Sequence, residues 1–201
     1  RITVITRLLL ASALREAATW PADIYLSFNL SPHDIATAEN AMRIMKVVED
    51  SGFPARRINF EITETAITRD FVQAASSVEF LRTMGCGISL DDFGTGYSSL
   101  NYVHKLPLSK IKIDGSFVTQ IDSRPASYKI VKSVLSLCED MGLEAIVEGV
   151  ETEAELRVLR EMGVGVVQGF HFSRPLDANA AKEMVSPEAT GTGSGEKRKG
   201  T

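Results

Sequence analysis

The sequence predicts an α/β fold of the TIM-like (β/α) barrel type, and three observations support this prediction. Segments typical of strands and helices alternate along the chain, as in a parallel sheet with helical crossovers. Six predicted strands end at residues 29, 61, 91, 114, 148 and 168, about one βα unit apart. A glycine motif of the dinucleotide-binding type is missing, which favours a closed barrel over an open sheet.

Helices are predicted where apolar residues recur at helical spacing between residues typical of helix ends. For the second helix we expect Ser31 as N-cap and Pro32 in the first turn, and for the third we expect Thr68 as the cap. Thr152 and Glu155 form a capping-box pattern. The predicted helices cover residues 2–18, 31–52, 68–85, 126–141, 152–163 and 177–185.

Strands are predicted where short apolar runs are bounded by turn residues. They cover residues 24–29, 57–62, 86–91, 110–114, 144–148 and 164–169. Side chains alternate between the two faces of a strand, so Ser89 and Asp91 oppose Ile88 and Leu90. In a barrel the apolar face packs against helices. The polar side chains are therefore expected to point into the barrel or its carboxyl-end mouth, where barrels build active sites.

The domain organisation predicted is one barrel domain over residues 1–185 and a disordered Gly/Ser/Lys-rich tail over residues 186–201. Only six strands are visible where such a barrel has eight. The chain also begins at Arg1, almost directly in an amphipathic helix. We therefore expect an N-terminally truncated fragment of a longer protein, whose first strand lies upstream of Arg1.

Composition excludes several functional classes. The 201 residues carry a net charge of −4 without a basic stripe, which argues against binding a polymeric nucleic acid. Every apolar run is shorter than the roughly 20 residues that a membrane span needs. Cys86 and Cys138 lie in apolar segments and are expected to be reduced core residues. His33, His104 and His171 share no metal-ligand spacing.

Polar side chains recur at the predicted strand ends, and most of them offer oxygen ligands. Such ligands suit hard cations such as Mg²⁺ or Mn²⁺. Asp91 and Asp92 are adjacent like charges, which a bound cation would stabilise. Both can face one ion only if the chain turns at Asp92, which Gly94 and Gly96 permit. The set comprises Asn29, Glu61, Asp91, Asp92, Lys112, Asp114, Glu148 and Gln168.

Each of these residues also has a plain structural interpretation. A single Asp or Asn at a strand end is commonly a turn residue or a helix cap, and Asn29 could serve the turn at Ser31. A buried lysine needs a partner, so Lys112 and Asp114 could form a structural ion pair. The coincidence of six strand ends is what favours a functional site.

These segments together resemble the EAL domain, a family of bacterial cyclic di-GMP phosphodiesterases. The match extends from about residue 2 to residue 176. The motifs that carry it are Asn-Leu-Ser at 29–31, Glu-Ile-Thr-Glu at 61–64, Asp-Asp-Phe-Gly-Thr-Gly-Tyr-Ser-Ser-Leu at 91–100, Lys-Ile-Asp at 112–114, Glu-Gly-Val-Glu-Thr at 148–152 and Gln-Gly-Phe at 168–170.

The resemblance implies a modified TIM-like barrel that hydrolyses cyclic di-GMP to the linear dinucleotide pGpG. Two Mg²⁺ or Mn²⁺ ions would activate water at the mouth of the barrel, and Ca²⁺ would inhibit. It implies that Lys112 and Glu148 are catalytic residues, with Lys112 holding the attacking water or phosphoryl charge. The metal ligands it implies are Asn29, Glu61, Asp91 and Glu148 for the first ion, and Asp92 and Asp114 for the second.

The resemblance also assigns supporting roles around the metal site. Ser31, Gln168 and Glu151 would bind substrate. Glu64 and Thr63 would anchor the loop of residues 92–99. The partners implied are a second copy in a homodimer and, within the parent chain, sensor or GGDEF-type domains. The location implied is cytoplasmic, including the cytoplasmic part of a membrane-anchored parent.

The sequence departs from the family pattern in a few places. The Glu-Ala-Leu motif is missing, and its Glu is a metal ligand, so we expect this fragment to be impaired. Val147 stands where Ala is usual, and Gly115 where a basic residue is common. The first alternative is a catalytically silent cyclic di-GMP-binding or protein-interaction module. The second is an unrelated barrel that forms an enolate with a lysine base and Mg²⁺.

Overall fold

The structure, a computed structural model, describes residues 2–94 and 103–185. Strands β1–β6 are Leu26–Asn29, Ile58–Thr63, Gly87–Phe93, Lys110–Ile113, Glu144–Val147 and Val166–Val167. Helices α1–α7 are Ile2–Ala17, Ala38–Ser51, Glu64–Arg69, Phe71–Thr83, Pro125–Asp140, Glu153–Glu161 and Ala178–Val185. Two 3₁₀ turns cover Ala55–Arg57 and Gly115–Phe117.

The six strands form one sheet in the order β1-β2-β3-β4-β5-β6, and every neighbouring pair is parallel. Helices connect the strands, as the alternating pattern predicts. The sheet is curved, because Lys110 at the start of β4 contacts Tyr25, which lies just before β1. The predicted α/β barrel-like fold is therefore confirmed for the described residues.

The apolar core lies between the sheet and the helices. Phe60, Ile62, Ile88, Leu90 and Ile111 are all fully buried on the helix-facing side of β2, β3 and β4. Each buried side chain of this size contributes about 1.5–3 kcal/mol through the hydrophobic effect. The opposite face of the same strands carries polar residues, so the inside of the curved sheet is a polar lumen.

The predicted start of the second helix is wrong. Helix α2 begins at Ala38, and its N-cap is Thr37, whose side chain accepts a hydrogen bond from the backbone N–H of Asn40. Ser31 instead donates from its N–H and its hydroxyl to the carboxylate of Asp34, at 2.9 and 2.5 Å. This local turn uses the polar groups that would have capped a helix at Ser31.

The predicted cap at Thr68 is also wrong. Thr68 lies inside the short helix α3, and α4 begins after Asp70, whose carboxylate accepts from the N–H of Gln73. The capping box of Thr152 and Glu155 is confirmed at the start of α6. Strand β6 is only two residues long, so Gln168 lies just beyond it.

The expectations on cysteines, membrane spans and the C-terminal tail are compared with the structure next. Cys86 and Cys138 are buried free thiols, as predicted. Within residues 2–94 and 103–185, every helix is too short or too polar to cross a membrane. Most of the predicted loop of residues 92–99 and the predicted tail of residues 186–201 lie outside the described residues.

Candidate metal and catalytic site

A β-bulge at the end of β3 brings two carboxylates to the same side. The pairing of β3 with β4 shifts register between Leu90 and Phe93, and Asp92 has a φ of 55°. Because of this left-handed conformation, the side chains of Asp91 and Asp92 no longer point to opposite faces of the strand. The predicted turn at Asp92 is therefore confirmed.

Asp91, Asp92 and Glu148 form a carboxylate cluster at the mouth of the curved sheet. Each offers one oxygen, and these oxygens all lie within 4.8 Å of one another. Three carboxylates at this separation repel one another, and hard divalent cations prefer oxygen ligands of this kind. The cluster therefore fits a bound Mg²⁺ or Mn²⁺ ion.

Burial and neighbouring charges raise the pKa of two members of this cluster. Burial raises the pKa of Asp92, and the charges of Asp91 and Asp114 raise it further. Burial also raises the pKa of Glu148, although Lys112 opposes this effect. A cation at the cluster would act in the opposite direction, because it stabilises the ionised carboxylates.

Lys112 places a positive charge among carboxylates from three other strand ends. Its side chain is 5% exposed, and its Nζ atom lies 2.6 Å from Glu61, 2.9 Å from Asp91 and 2.5 Å from Glu148. Burial would lower the pKa of Lys112, but the hydrogen bonds to these carboxylates raise it overall. The lysine is therefore held as an ammonium ion, and its positive charge can also stabilise a further negatively charged group beside these carboxylates.

The alternative of a structural Lys112–Asp114 ion pair is not what the structure shows. The Asp114 carboxylate accepts from the N–H of Ser116 at 3.0 Å and caps the Gly115–Phe117 turn. It remains close enough to raise the pKa of Asp92. Asn29 ends β1 opposite Glu61 in the strand register, next to the same mouth.

A groove of about 380 Å³ adjoins the carboxylate cluster. Gln168 donates to Glu148 across 2.5 Å, and Gln168 and Glu151 both line this groove. The guanidinium of Arg174 lies 4.9 Å from the ring centre of Phe170 on its wall. Arg174 was not among the site residues predicted from the sequence. The only sequence feature that could have indicated it is the Arg-Pro pair at 174–175, soon after the Gln-Gly-Phe motif.

The remaining predicted site residues have other surroundings in the described residues. The Ser31 hydroxyl is committed to Asp34. Thr63 hydroxyl oxygen lies 3.1 Å from that of Thr65. Glu64 is buried, and its Oε1 atom has no hydrogen-bond partner within the described part of the chain. The predicted roles of these residues in substrate binding and loop anchoring stay predictions.

Two glycines bring the ends of β4 and β5 together beside the site. Gly149 has a φ of 70°, and a Cβ atom there would lie 2.7 Å from the Cα atom of Gly115. A Cβ atom at Gly115 would lie 3.0 Å from the Cα atom of Gly149, so a side chain there needs only a small shift of the neighbouring backbone.

Comparison with known proteins gives a consistent result. The model of the family described as EAL domain matches residues 1–175. Cyclic di-GMP phosphodiesterase RocR of Pseudomonas aeruginosa is 35% identical over 162 residues, which are 81% of this chain and 41% of RocR. The chain spans only 21–41% of the length of the first curated relatives it matches.

Solved structures show the same fold. The EAL domain of Mycobacterium smegmatis DcpA matches with a TM-score of 0.85 and 31% identity, covering 92% of this chain and 84% of that one. Klebsiella pneumoniae BlrP1, solved as a manganese and cyclic di-GMP complex, matches with a TM-score of 0.79 and 32% identity. The match covers 86% of this chain and 45% of the BlrP1 chain.

Proposed function

This chain belongs to the EAL domain family, and on that premise we propose that it hydrolyses cyclic di-GMP to pGpG with Mg²⁺ or Mn²⁺. The observation that carries the proposal is the cluster of Asp91, Asp92 and Glu148 beside the buried ammonium of Lys112. The name of RocR and the manganese and cyclic di-GMP complex of BlrP1 support the same substrate and metal class.

The metal ligands in this proposal are the carboxylates that the bulge and the strand ends assemble. Asp91, Asp92 and Glu148 lie within reach of one ion. The set for two ions is completed by Glu61 at the end of β2, Asn29 at the end of β1 and Asp114 after β4. Ca²⁺ is expected to occupy the site and inhibit hydrolysis. Bound divalent ions would supply an activated water and neutralise charge on the phosphodiester.

Glu148 is the general base in this proposal. It accepts hydrogen bonds from Lys112 and Gln168, which fix its orientation. It would take one proton from the attacking water as the new P–O bond forms and the bond from phosphorus to the ribose 3′ oxygen breaks, and that oxygen would take up a proton from solvent water.

Lys112 stabilises the negative charge that develops on the phosphoryl oxygens. Its ammonium group has three donors, and in the structure they are directed to Glu61, Asp91 and Glu148. With these carboxylates neutralised by a bound divalent cation, one donor of Lys112 would be available to the phosphoryl group. The lysine thus links metal binding to charge stabilisation.

The groove beside Glu148 is the proposed substrate site. Its volume of about 380 Å³ lies within the usual range for small-molecule sites, about 300–1,000 Å³. Phe170 offers a ring on which a base can stack, and Arg174 offers a cation above that ring. Gln168 and Glu151 provide polar groups for a nucleotide. Ser31 follows the carboxyl end of β1, which ends at Asn29, and is included as a substrate-binding residue.

Several broader features belong to the same proposal. We expect a homodimer in which Glu64 and Thr63 anchor the loop of residues 92–99. We also expect a cytoplasmic location and a parent chain with sensor or GGDEF-type domains, acting in bacterial second-messenger signalling and biofilm control. The length of the matched relatives, of which this chain spans 21–41%, is consistent with additional domains.

The direct test is chromatography of cyclic di-GMP after incubation with the protein and Mn²⁺. The expected result is pGpG that forms with Mn²⁺ and disappears when a chelator is added. Binding of cyclic di-GMP in equilibrium dialysis without any product would favour the silent-receptor alternative. If the protein neither hydrolyses nor binds cyclic di-GMP, both the proposed function and the silent-receptor alternative are wrong.

A further inference from the structure

We propose that Asn59 is a positioning residue that fixes the relative placement of the three strand ends bearing Asn29, Glu61 and Asp91. This inference rests on the proposed metal-dependent function, because it concerns residues assigned to metal binding. Asn59 is not one of the residues assigned to metal binding. It lies one inward-facing position before Glu61 on β2.

The amide of Asn59 connects three adjacent strands. Its Nδ2 atom donates to the hydroxyl of Ser89 on β3 at 2.7 Å and to the hydroxyl of Ser27 on β1 at 3.4 Å. Each of these serines also lies one inward-facing position before a predicted metal ligand, Asp91 on β3 and Asn29 on β1. The hydrogen bonds therefore form a tier directly below the ligands.

The surroundings of Asn59 allow its side chain little freedom. The residue is 3% exposed, and Ser89 is fully buried. Gly87 is its register partner on β3, and a Cβ atom there would lie 2.8 Å from Asn59 Oδ1. The glycine thus leaves the space that the amide occupies. Asn59 Oδ1 has no hydrogen-bond partner within the described residues, so the two donors of the amide hold it in place.

The polar tier links three strands just below their ends. On the lumen side of the sheet it adds side-chain hydrogen bonds to the backbone pairing of β1, β2 and β3, which limits the movement of neighbouring strand ends relative to one another. Side chains behind metal ligands set ligand orientation, and their removal typically weakens metal affinity about 10–100-fold. An amide that spans three strands would hold all three ligands at once.

The test compares wild type with Asn59→Ala, Ser89→Ala and Gly87→Ala in substrate-free titrations with Mn²⁺ by isothermal calorimetry. We expect Asn59→Ala to weaken Mn²⁺ affinity about 10-fold. Ser89→Ala and Gly87→Ala should weaken it too, the first by removing an acceptor and the second by displacing the amide. Combining Asn59→Ala with Ser89→Ala should add little further loss, because both act through one hydrogen bond.

Turnover provides a second measurement. The three variants should lower kcat at fixed Mn²⁺ and leave the KM for cyclic di-GMP nearly unchanged, because the groove is untouched. Ile88→Val is the matched control, since Ile88 is fully buried on the helix-facing side of the same strand. It should lower the melting temperature without changing Mn²⁺ affinity.

The possible failures can be told apart. If Asn59→Ala and Ser89→Ala bind Mn²⁺ as tightly as wild type, the inference is wrong, whatever happens to the melting temperature. If wild type binds Mn²⁺ without hydrolysing cyclic di-GMP, the proposed function is wrong, and the titrations still decide the role of Asn59. If wild type does not bind Mn²⁺, both are wrong.

Discussion

At the scale of single residues, the site depends on a balance between one ammonium group and several carboxylates. Lys112 contacts Glu61, Asp91 and Glu148, and all four side chains are largely buried. Removing one partner of a buried ion pair leaves an uncompensated charge and costs about 3–5 kcal/mol. The same charges that stabilise the metal-free protein are therefore the ones proposed to bind the cations.

Asp91→Asn tests the metal-site assignment. The amide keeps the shape of the carboxylate but lacks the charge that a divalent cation needs, so Mn²⁺-dependent turnover should fall below detection. The circular dichroism spectrum should stay unchanged. Asp122→Asn, at an exposed position, is the control and should retain wild-type turnover. Normal turnover in Asp91→Asn would refute the assignment.

Lys112→Met tests the link between the ammonium group and the cation. Without the lysine, the carboxylates of the metal-free protein are left without compensation, and stability should fall by about 3–5 kcal/mol. Because Mn²⁺ can replace the missing positive charge, it should raise the melting temperature of the variant more than that of wild type. Thermal unfolding with and without Mn²⁺ measures this, and equal shifts in the two proteins would count against it.

At the scale of secondary-structure elements, the start of α6 holds the loop that follows β5. Glu155 accepts from the N–H groups of Glu151 and Thr152 with one oxygen and from the N–H of Gln120 with the other. Burial would raise the pKa of Glu155, but these backbone donors lower it below 4.5 overall. The capping box thus fixes the chain immediately after Glu148.

Glu155→Gln should show a pH-dependent loss of stability. Because folding lowers the pKa of Glu155, its contribution is present above pH 4.5 and is lost as the pH falls through the lower folded value. The variant should lose about 1 kcal/mol at pH 7, a typical effect of a lost cap. Urea unfolding at pH 7 and below pH 4.5 measures the difference.

The difference between Glu155→Gln and wild type should shrink as the pH decreases below 4.5. Glu153→Gln is the control, because that carboxylate is exposed and its contacts with Arg160 at 3.4 Å and with His171 at 3.3 Å are screened by solvent. Its effect on stability should be small at both pH values. A loss in Glu155→Gln that is the same at both pH values would contradict the role of the charge.

At the scale of the whole molecule, contacts across the lumen maintain the curvature of the sheet at both ends. Lys112 joins strand ends at the mouth. At the opposite end, Lys110 lies 4.6 Å from the ring centre of Tyr25, donates to its hydroxyl and forms an ion pair with Glu144. Tyr25 and Lys110 are separated by 85 positions in sequence, so this contact exists only in the curved sheet.

Tyr25→Ala should weaken the curved sheet without affecting the metal site. Loss of a cation–π contact of this kind costs about 0.5–1 kcal/mol, and a change of 1 kcal/mol lowers the melting temperature by about 2–4 °C in a protein of this size. Tyr25→Phe keeps the ring and should lose much less. A change in Mn²⁺ affinity in Tyr25→Ala would show that the two ends of the lumen are coupled.

Much of the fold could be predicted because apolar runs and their spacing are local signals. The strands and most helices lie where periodicity places them, within a few residues. The helix caps were less predictable, because Ser31 and Thr37 are both good N-caps, and only the pairing of Ser31 with Asp34 decides between them. Similarly, Thr68 competes with Asp70.

The sequence by itself determined which residues lie at the strand ends and which of them face the lumen, because side-chain alternation has a fixed period of two. Only the tertiary structure decided that Asp92 joins Asp91 through a bulge and that Lys112 pairs with Glu61, Asp91 and Glu148 rather than Asp114. These outcomes depend on the stagger between neighbouring strands and on the curvature of the sheet. Both arise from pairings between segments that are distant in sequence, and local sequence patterns do not predict such pairings.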